Sequence, residues 1–283
     1  MTTYAHVQRP CLDALYGVAE QIGEGAPASR HRTRDTLVSV QPMNAPRRVL
    51  IAPDKFKGTM TAKEAAQAIQ QGLQRAWPGA RFTCVALADG GEGFAEGLVD
   101  ARGGQLHPIQ TLDALGRPCT AQWGELDRSC AVFDISSASG LTALAINERN
   151  PLQTSSFGSG LILRDLIARG FERIFVGLGG SATNDAGIGI AAALGFRFLD
   201  SRGQEVALNG RALAGIARIE GPLPIAQSNI VLATDVINPL YGVEGAAHQF
   251  ARQKGADDVA IAELDRGLKH FAAIVAAHFG QDF

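Results

Sequence analysis

Short apolar runs alternate along this chain with glycine-rich polar breaks, the pattern of an α/β protein. Arg48-Val49-Leu50-Ile51-Ala52 predicts a buried strand that gives way to the polar loop Pro53 to Gly58. Thr61 and Glu64 form a capping-box pair, and Ala65, Ile69, Leu73 and Ala76 follow at helical spacing until Pro78-Gly79 stops the helix. Phe82 to Leu87 reads as the next strand and Phe94 to Ala101 as a short helix closed by Gly103-Gly104. Leu106 to Ile109, Thr120 to Trp123 and Ala131 to Ile135 are short strands split by turn residues, a change of domain or an antiparallel insertion. Gly160 to Ala168 predicts a helix ended by Gly170, and Arg173 to Val176 a strand running into a glycine-rich turn, Gly177 to Gly189. A helix at Ile188 to Leu194 and strands at Phe196 to Leu199 and Asn229 to Ala233 come next. Val259, Leu264, Leu268, Phe271, Val275 and Phe279 give the last helix one apolar face.

Composition narrows the class. The chain has 283 residues, 46% hydrophobic and 19% charged, enough to bury a large core. With 26 Lys plus Arg against 28 Asp plus Glu, the net charge of −2 gives no positive excess to meet nucleic acid or an acidic membrane. Neither is expected as a partner, and no run of about 18 apolar residues predicts a membrane span. Cys11, Cys84, Cys119 and Cys130 show no CxxC spacing, so a zinc site is not expected and a reduced, cytoplasmic compartment fits. The basic stretch Arg30 to Arg34 reads as a surface tail.

Three predicted strands end in polar loops with glycine, at Asp54 to Gly58, Asp89 to Gly93 and Gly177 to Gly189, and a fourth ends at Asp235. Ligands of open α/β sheets bind outside the carboxyl ends of strands, so these loops fall where a site belongs. In Gly177-Leu178-Gly179-Gly180-Ser181-Ala182-Thr183-Asn184-Asp185 the glycines permit close backbone approach, the hydroxyls donate, and a following helix start would add amides and a positive dipole end. Asp185 could hold magnesium or act as a base. The same residues are also compatible with a tight turn and a helix cap. No GxxxxGK[ST] or GxGxxG occurs. Asp89 and Glu92 place two carboxylates among glycines, for a metal, for substrate hydroxyls or for a helix dipole. Lys55 and Lys57 could neutralise phosphate or carboxylate, or be a solvated loop. His107, His248, His270 and His278 sit in no ligand spacing and read as structural or surface residues.

Together the segments form a set: Ile51-Ala52-Pro53-Asp54-Lys55-Phe56-Lys57-Gly58, Ala88-Asp89-Gly90-Gly91-Glu92-Gly93, Ala138-Ser139-Gly140-Leu141, Arg149-Asn150-Pro151-Leu152, Gly179 to Asp185, Asp235-Val236-Ile237-Asn238-Pro239-Leu240 and Gln253-Lys254-Gly255-Ala256. In this order and spacing the set resembles the bacterial glycerate kinase family from about residue 48 onward. The resemblance implies ATP-dependent, magnesium-assisted phosphorylation of D-glycerate, and two α/β domains with the site in the cleft between them. The first would be a Rossmann- or flavodoxin-like parallel sheet spanning residues 47–115 and left incomplete, the second a mixed α/β domain spanning 116–283, with 1–46 a disordered extension. It implies catalytic roles among Asp54, Lys57, Asp185 and Asp235. It implies phosphate or substrate binding by Lys55, Gly179, Gly180, Ser181, Thr183, Asn184, Asp89, Gly90, Gly91, Glu92 and Lys254, and metal binding by Asp89 and Glu92. Family members carry Glu where Asp134 stands and Pro where Arg252 stands. Residues 1–42 have no family counterpart, and Met43 is a candidate start. The family continues beyond Phe283 into a further glycine-rich loop and a Gly-Glu-Gly motif, so a shortened kinase is expected, with a non-catalytic binding remnant as the alternative. Self-association into a homo-oligomer stays open.

Overall fold

The computed structural model describes residues 46–54, 56, 59–85, 87, 90–221 and 228–280. The described residues up to Leu87 form one compact unit and those from Gly90 a second. The expected extension 1–46 lies, apart from its last residue, outside the described residues.

The first unit is a strand–helix–strand crossover. Strands β1 (Arg48–Ile51) and β2 (Arg81–Cys84) pair in parallel, joined through helix α1 (Ala62–Ala76). The capping box forms: Thr61 Oγ1 accepts from the Glu64 amide at 3.2 Å, and Glu64 Oε2 accepts from the Thr61 amide at 2.8 Å. Only the start of the predicted apolar face is covered. Ala65 and Ala66 are buried, whereas Ile69 is 40% exposed and Ala76 is exposed, because two four-residue strands offer too little surface for a four-turn helix.

The second unit centres on a five-stranded mixed sheet in the order β3-β4-β5-β6-β9: β3 (Gln105–Leu112), β4 (Pro118–Asp127), β5 (Cys130–Asp134), β6 (Arg173–Gly177) and β9 (Asn229–Ala233). β3, β4 and β5 run antiparallel, and β5, β6 and β9 run parallel. The predicted antiparallel insertion is therefore an extension of the parallel sheet. Asp113 turns the chain between β3 and β4, its Oδ1 accepting the amides of Leu115 and Arg117 at 2.8 and 2.9 Å.

Helices cover both faces of this sheet, which is why β5 is buried along its whole length. On one face Ala131, Phe133, Ile174 and Val176 pack with Ala138 of the short helix α3 (Ser136–Ser139) and with Ile162, Leu163 and Leu166 of α4 (Phe157–Ala168). On the other, Val132 meets Phe94, Ala95 and Val99 of α2 (Phe94–Arg102). The alternation along Cys130 to Asp134 thus feeds two cores from one strand. α2 and β3 are held in the second unit by these contacts.

A third cluster lies beside α5 (Ile188–Ala193). Leu264, Leu268 and Phe271 of α7 (Asp258–Phe279) cluster with Leu213, Ile216, Phe198, Ile219 and Ala247 of the short helix α6 (Ala246–Phe250). Phe198 and Ile219 belong to an antiparallel pair of strands, β7 (Arg197–Leu199) and β8 (Arg218–Glu220). β8 escapes the sequence reading because a single apolar residue between charged neighbours carries no period. Asp257 caps α7 through the Ala260 amide at 2.8 Å. Val259, expected on its apolar face, is 75% exposed in the first turn. The helix expected from Gly160 starts a turn earlier at Phe157. No helix among the described residues is long and apolar enough to cross a membrane.

Phe133 is fully buried beneath α4. Phe133→Ala should lower unfolding free energy by about 3–5 kcal/mol in denaturant titration; a loss under about 1 kcal/mol would show that the sheet core is not packed as described.

Candidate functional site

The carboxyl ends of β5, β6 and β9 and the start of α2 converge within the second unit. Their loops meet backbone against backbone. The Gly179 amide donates to Gly90 O at 2.9 Å, the Leu178 amide to Ala233 O at 3.0 Å, and the Ile135 amide to Gly177 O at 2.9 Å. A Cβ on Gly179 would lie 2.6 Å from Gly91 Cα, and one on Gly90 would lie 2.7 Å from Ala233 O, so side chains are excluded from this junction.

Asp134, at the end of β5, ties the acidic loop to the sheet. Its Oδ2 accepts the Gly93 amide at 2.9 Å and its Oδ1 the Ala95 amide at 3.0 Å. It thereby caps α2, whose N-cap Gly93 has no side chain to do so. The sequence marked Asp134 only as a departure from the family. The available signal was a carboxylate ending an otherwise apolar strand.

The Gly179 loop does not run into a helix as expected. α5 starts only at Ile188 and spans six residues, so its dipole does not act at Gly179–Ser181. The loop instead crosses to Gly140 and Leu141: the Ala182 amide donates to Ser139 O at 2.8 Å and the Leu141 amide to Gly180 O at 2.9 Å. Gly180 takes a left-handed φ of 74°. Among the described residues no acceptor engages the backbone N–H of Gly180 or Ser181, and no hydrogen bond engages the side chains of Thr183 and Asn184. Thr183 and Asn184 are nevertheless only 6% and 8% exposed. These are the parts of an anion cradle built from turn amides.

Two buried charges lie behind the cradle. Asp185 is 2% exposed, and its Oδ2 accepts both the amide and the hydroxyl of Ser156 at 2.8 Å, while Oδ1 accepts the Gly187 amide at 3.2 Å. Burial raises its pKa, opposed by those donors. The carboxylate thus ties the start of α4 to the start of α5, and Ala186 beside it is held at a positive φ of 50°. Ser156, missed in the sequence, also accepts the Ile190 amide at 3.2 Å. It precedes a run too apolar to suggest a buried polar anchor.

Lys254 is 8% exposed, and its Nζ donates to Thr183 O at 2.6 Å and Ser181 Oγ at 3.0 Å. Burial lowers its pKa to about 8, with the Asp185 charge pulling the other way.

The second unit therefore brings together Gly90, Gly91, Glu92, Gly179, Gly180, Ser181, Thr183, Asn184, Asp185 and Lys254 in connected loops. Asp235 follows β9 in the same unit and is exposed. Asp54 is exposed in the first unit, and Lys55, Lys57 and Asp89 lie outside the described residues. Among the described residues no group of three or more His, Cys, Asp or Glu side chains has metal-holding geometry. Magnesium held mainly by phosphate oxygens and one or two carboxylates does not need such a cage.

The glycerate kinase family model matches residues 49–283. The chain belongs to the glycerate kinase family. It is 42% identical over 238 residues to a glycerate kinase of Halalkalibacterium halodurans, covering 83% of this chain and 63% of that protein. It is 37% identical over 232 residues to glycerate 2-kinase of Escherichia coli, covering 81% and 61%. A crystal structure from Salmonella typhimurium, assigned as a glycerate kinase 2, superposes with a TM-score of 0.72 at 38% identity over 83% of this chain and 65% of that one. The chain spans less than two thirds of the length of these relatives. The mixed α/β fold agrees with that structure.

Lys254 has a sign-defined effect on stability. Its folded pKa of about 8 lies below the ordinary 10.5, so between these values the unfolded chain binds more protons than the folded one. The folded state carries the cost of a buried ammonium below about pH 8 and is relieved of it as pH rises to about 10.5. Unfolding titrations should show wild type gaining on Lys254→Met between pH 7 and pH 10, by on the order of 3 kcal/mol at most. A pH-independent difference would contradict this assignment.

Proposed function

We propose that this chain carries the phosphate-handling part of a glycerate kinase site, which transfers a phosphoryl group from ATP to a hydroxyl of D-glycerate. The observation that carries the reading is the Gly179–Asn184 cradle, whose Gly180 and Ser181 N–H groups meet no acceptor among the described residues, with a buried cation, Lys254, behind it. Phosphoryl transfer is catalysed largely by positioning and by charge stabilisation around the phosphoryl oxygens, which such a loop can supply. Family membership, and relatives named for glycerate phosphorylation, support the substrate class.

In this reading the Gly180 and Ser181 amides and the Ser181 and Thr183 hydroxyls hold ATP phosphate oxygens, and Asn184 adds an amide group. Gly90 and Gly91 keep the acidic loop against the cradle, and Glu92, exposed on that loop, would hold magnesium together with Asp89. Magnesium, when bound, would neutralise charge on the phosphates. Asp235 is the candidate within this unit to orient the glycerate hydroxyl and take its proton. Asp185 is a positioning residue here, because its carboxylate oxygens already accept three donors. A cytoplasmic setting belongs to the same proposal.

The test is ADP release on adding D-glycerate to the folded chain with ATP and magnesium. Glycerate-dependent release is expected, and Glu92→Gln should lower kcat by about a hundredfold while melting at the wild-type temperature. No glycerate-dependent release would reject the kinase reading in favour of a binding remnant; wild-type turnover in Glu92→Gln would reject the role of Glu92.

A further inference from the structure

The cation behind the cradle is spent on the protein. Lys254 sits in the short 3₁₀ turn Arg252–Lys254, closed by Gly255 at a left-handed φ of 96°. A Cβ on Gly255 would lie 2.1 Å from Arg149 O, so this turn is pressed against the start of the Arg149–Thr154 segment. That segment is itself joined to the cradle, since Thr154 Oγ1 donates to Ala182 O at 2.8 Å. The ammonium is thus delivered from a backbone with little room to move, and it reaches Ser181 and Thr183 from the buried side.

A serine hydroxyl has one proton and two lone pairs. Lys254 has only protons to offer, so its bond to Ser181 Oγ occupies a lone pair and forces the hydroxyl proton to point elsewhere. An ammonium donor also polarises that O–H and strengthens it as a donor. The second bond, to Thr183 O, holds the ammonium in place on the buried side of Ser181.

We infer that Lys254 is a positioning residue that commits the Ser181 hydroxyl to donate outward, making Ser181 a polarised, single-direction donor to a phosphate oxygen. This rests on the kinase reading only in taking phosphate as the ligand. Lys254 acts through Ser181 and does not touch the phosphate.

The relation predicts coupling that a merely structural lysine would not show. ATP binding to the full chain is measured by calorimetry at pH 7 for wild type, Ser181→Ala, Lys254→Met and the double variant, each checked for a cooperative melt. Each single change should weaken binding about tenfold, the effect of losing one charge-assisted donor. In the Ser181→Ala background, Lys254→Met should weaken it less than about twofold further. Independent tenfold losses, or an unchanged affinity in Lys254→Met, would overturn the inference, as would a wild-type chain that does not bind ATP. If Lys254→Met does not fold, Lys254→Gln takes its place in the same cycle. ADP release separates the two ideas. Coupled ATP binding without glycerate-dependent turnover sinks the kinase reading and keeps the role of Lys254. Turnover with independent losses does the reverse.

Discussion

Gly179 approaches Gly91 so closely that a methyl group on it would stand 2.6 Å from the Gly91 Cα. This contact of bare backbones sets the arrangement of the second unit's strand-end loops. It allows the Gly179 amide to bond Gly90 O and places Gly90 against Ala233 O, so three chain segments share one small junction. Any side chain there would push the acidic loop away from the cradle. The glycines act as absences of volume, and the sheet supplies the rigid frame that makes the absence useful.

Two buried carboxylates complete that frame from opposite sides. Asp134 holds the start of α2, and Asp185 holds the starts of α4 and α5. Each takes amides that a helix end leaves unpaired, so each anchors a helix relative to a strand end. Neither has an oxygen free of protein donors. Their shared logic lies within one unit: these buried acids build the scaffold, whereas Glu92 and Asp235 are exposed. Lys254 belongs to the scaffold by burial and to the cradle by contact.

The elements with a strong period were legible. The capping box at Thr61, the strands β1, β5, β6 and β9 and the long helix α7 stand where apolar spacing placed them. What period could not show was coverage. Ile69 has the spacing of a core residue but remains 40% exposed, because spacing reports which face is apolar and not whether anything covers it. The glycine turn was legible as a turn, but its surroundings were not. It is braced by Gly140 and Lys254, and the helix expected to follow it begins only at Ile188.

The order of motifs from Ile51 to Ala256 was enough by itself to identify the family, because loop chemistry at strand ends is written in contiguous residues. The same contiguity made the residue types of the site readable. Which acid is buried, and that Lys254 meets Ser181 from the buried side, was decided only by the fold. Asp185 lies near Ser181 in the chain but turns inward to Ser156, 29 positions away, while Lys254 arrives from 73 positions beyond. Burial and hydrogen-bond pairing are properties of surfaces brought together across the sheet, and no local pattern encodes them.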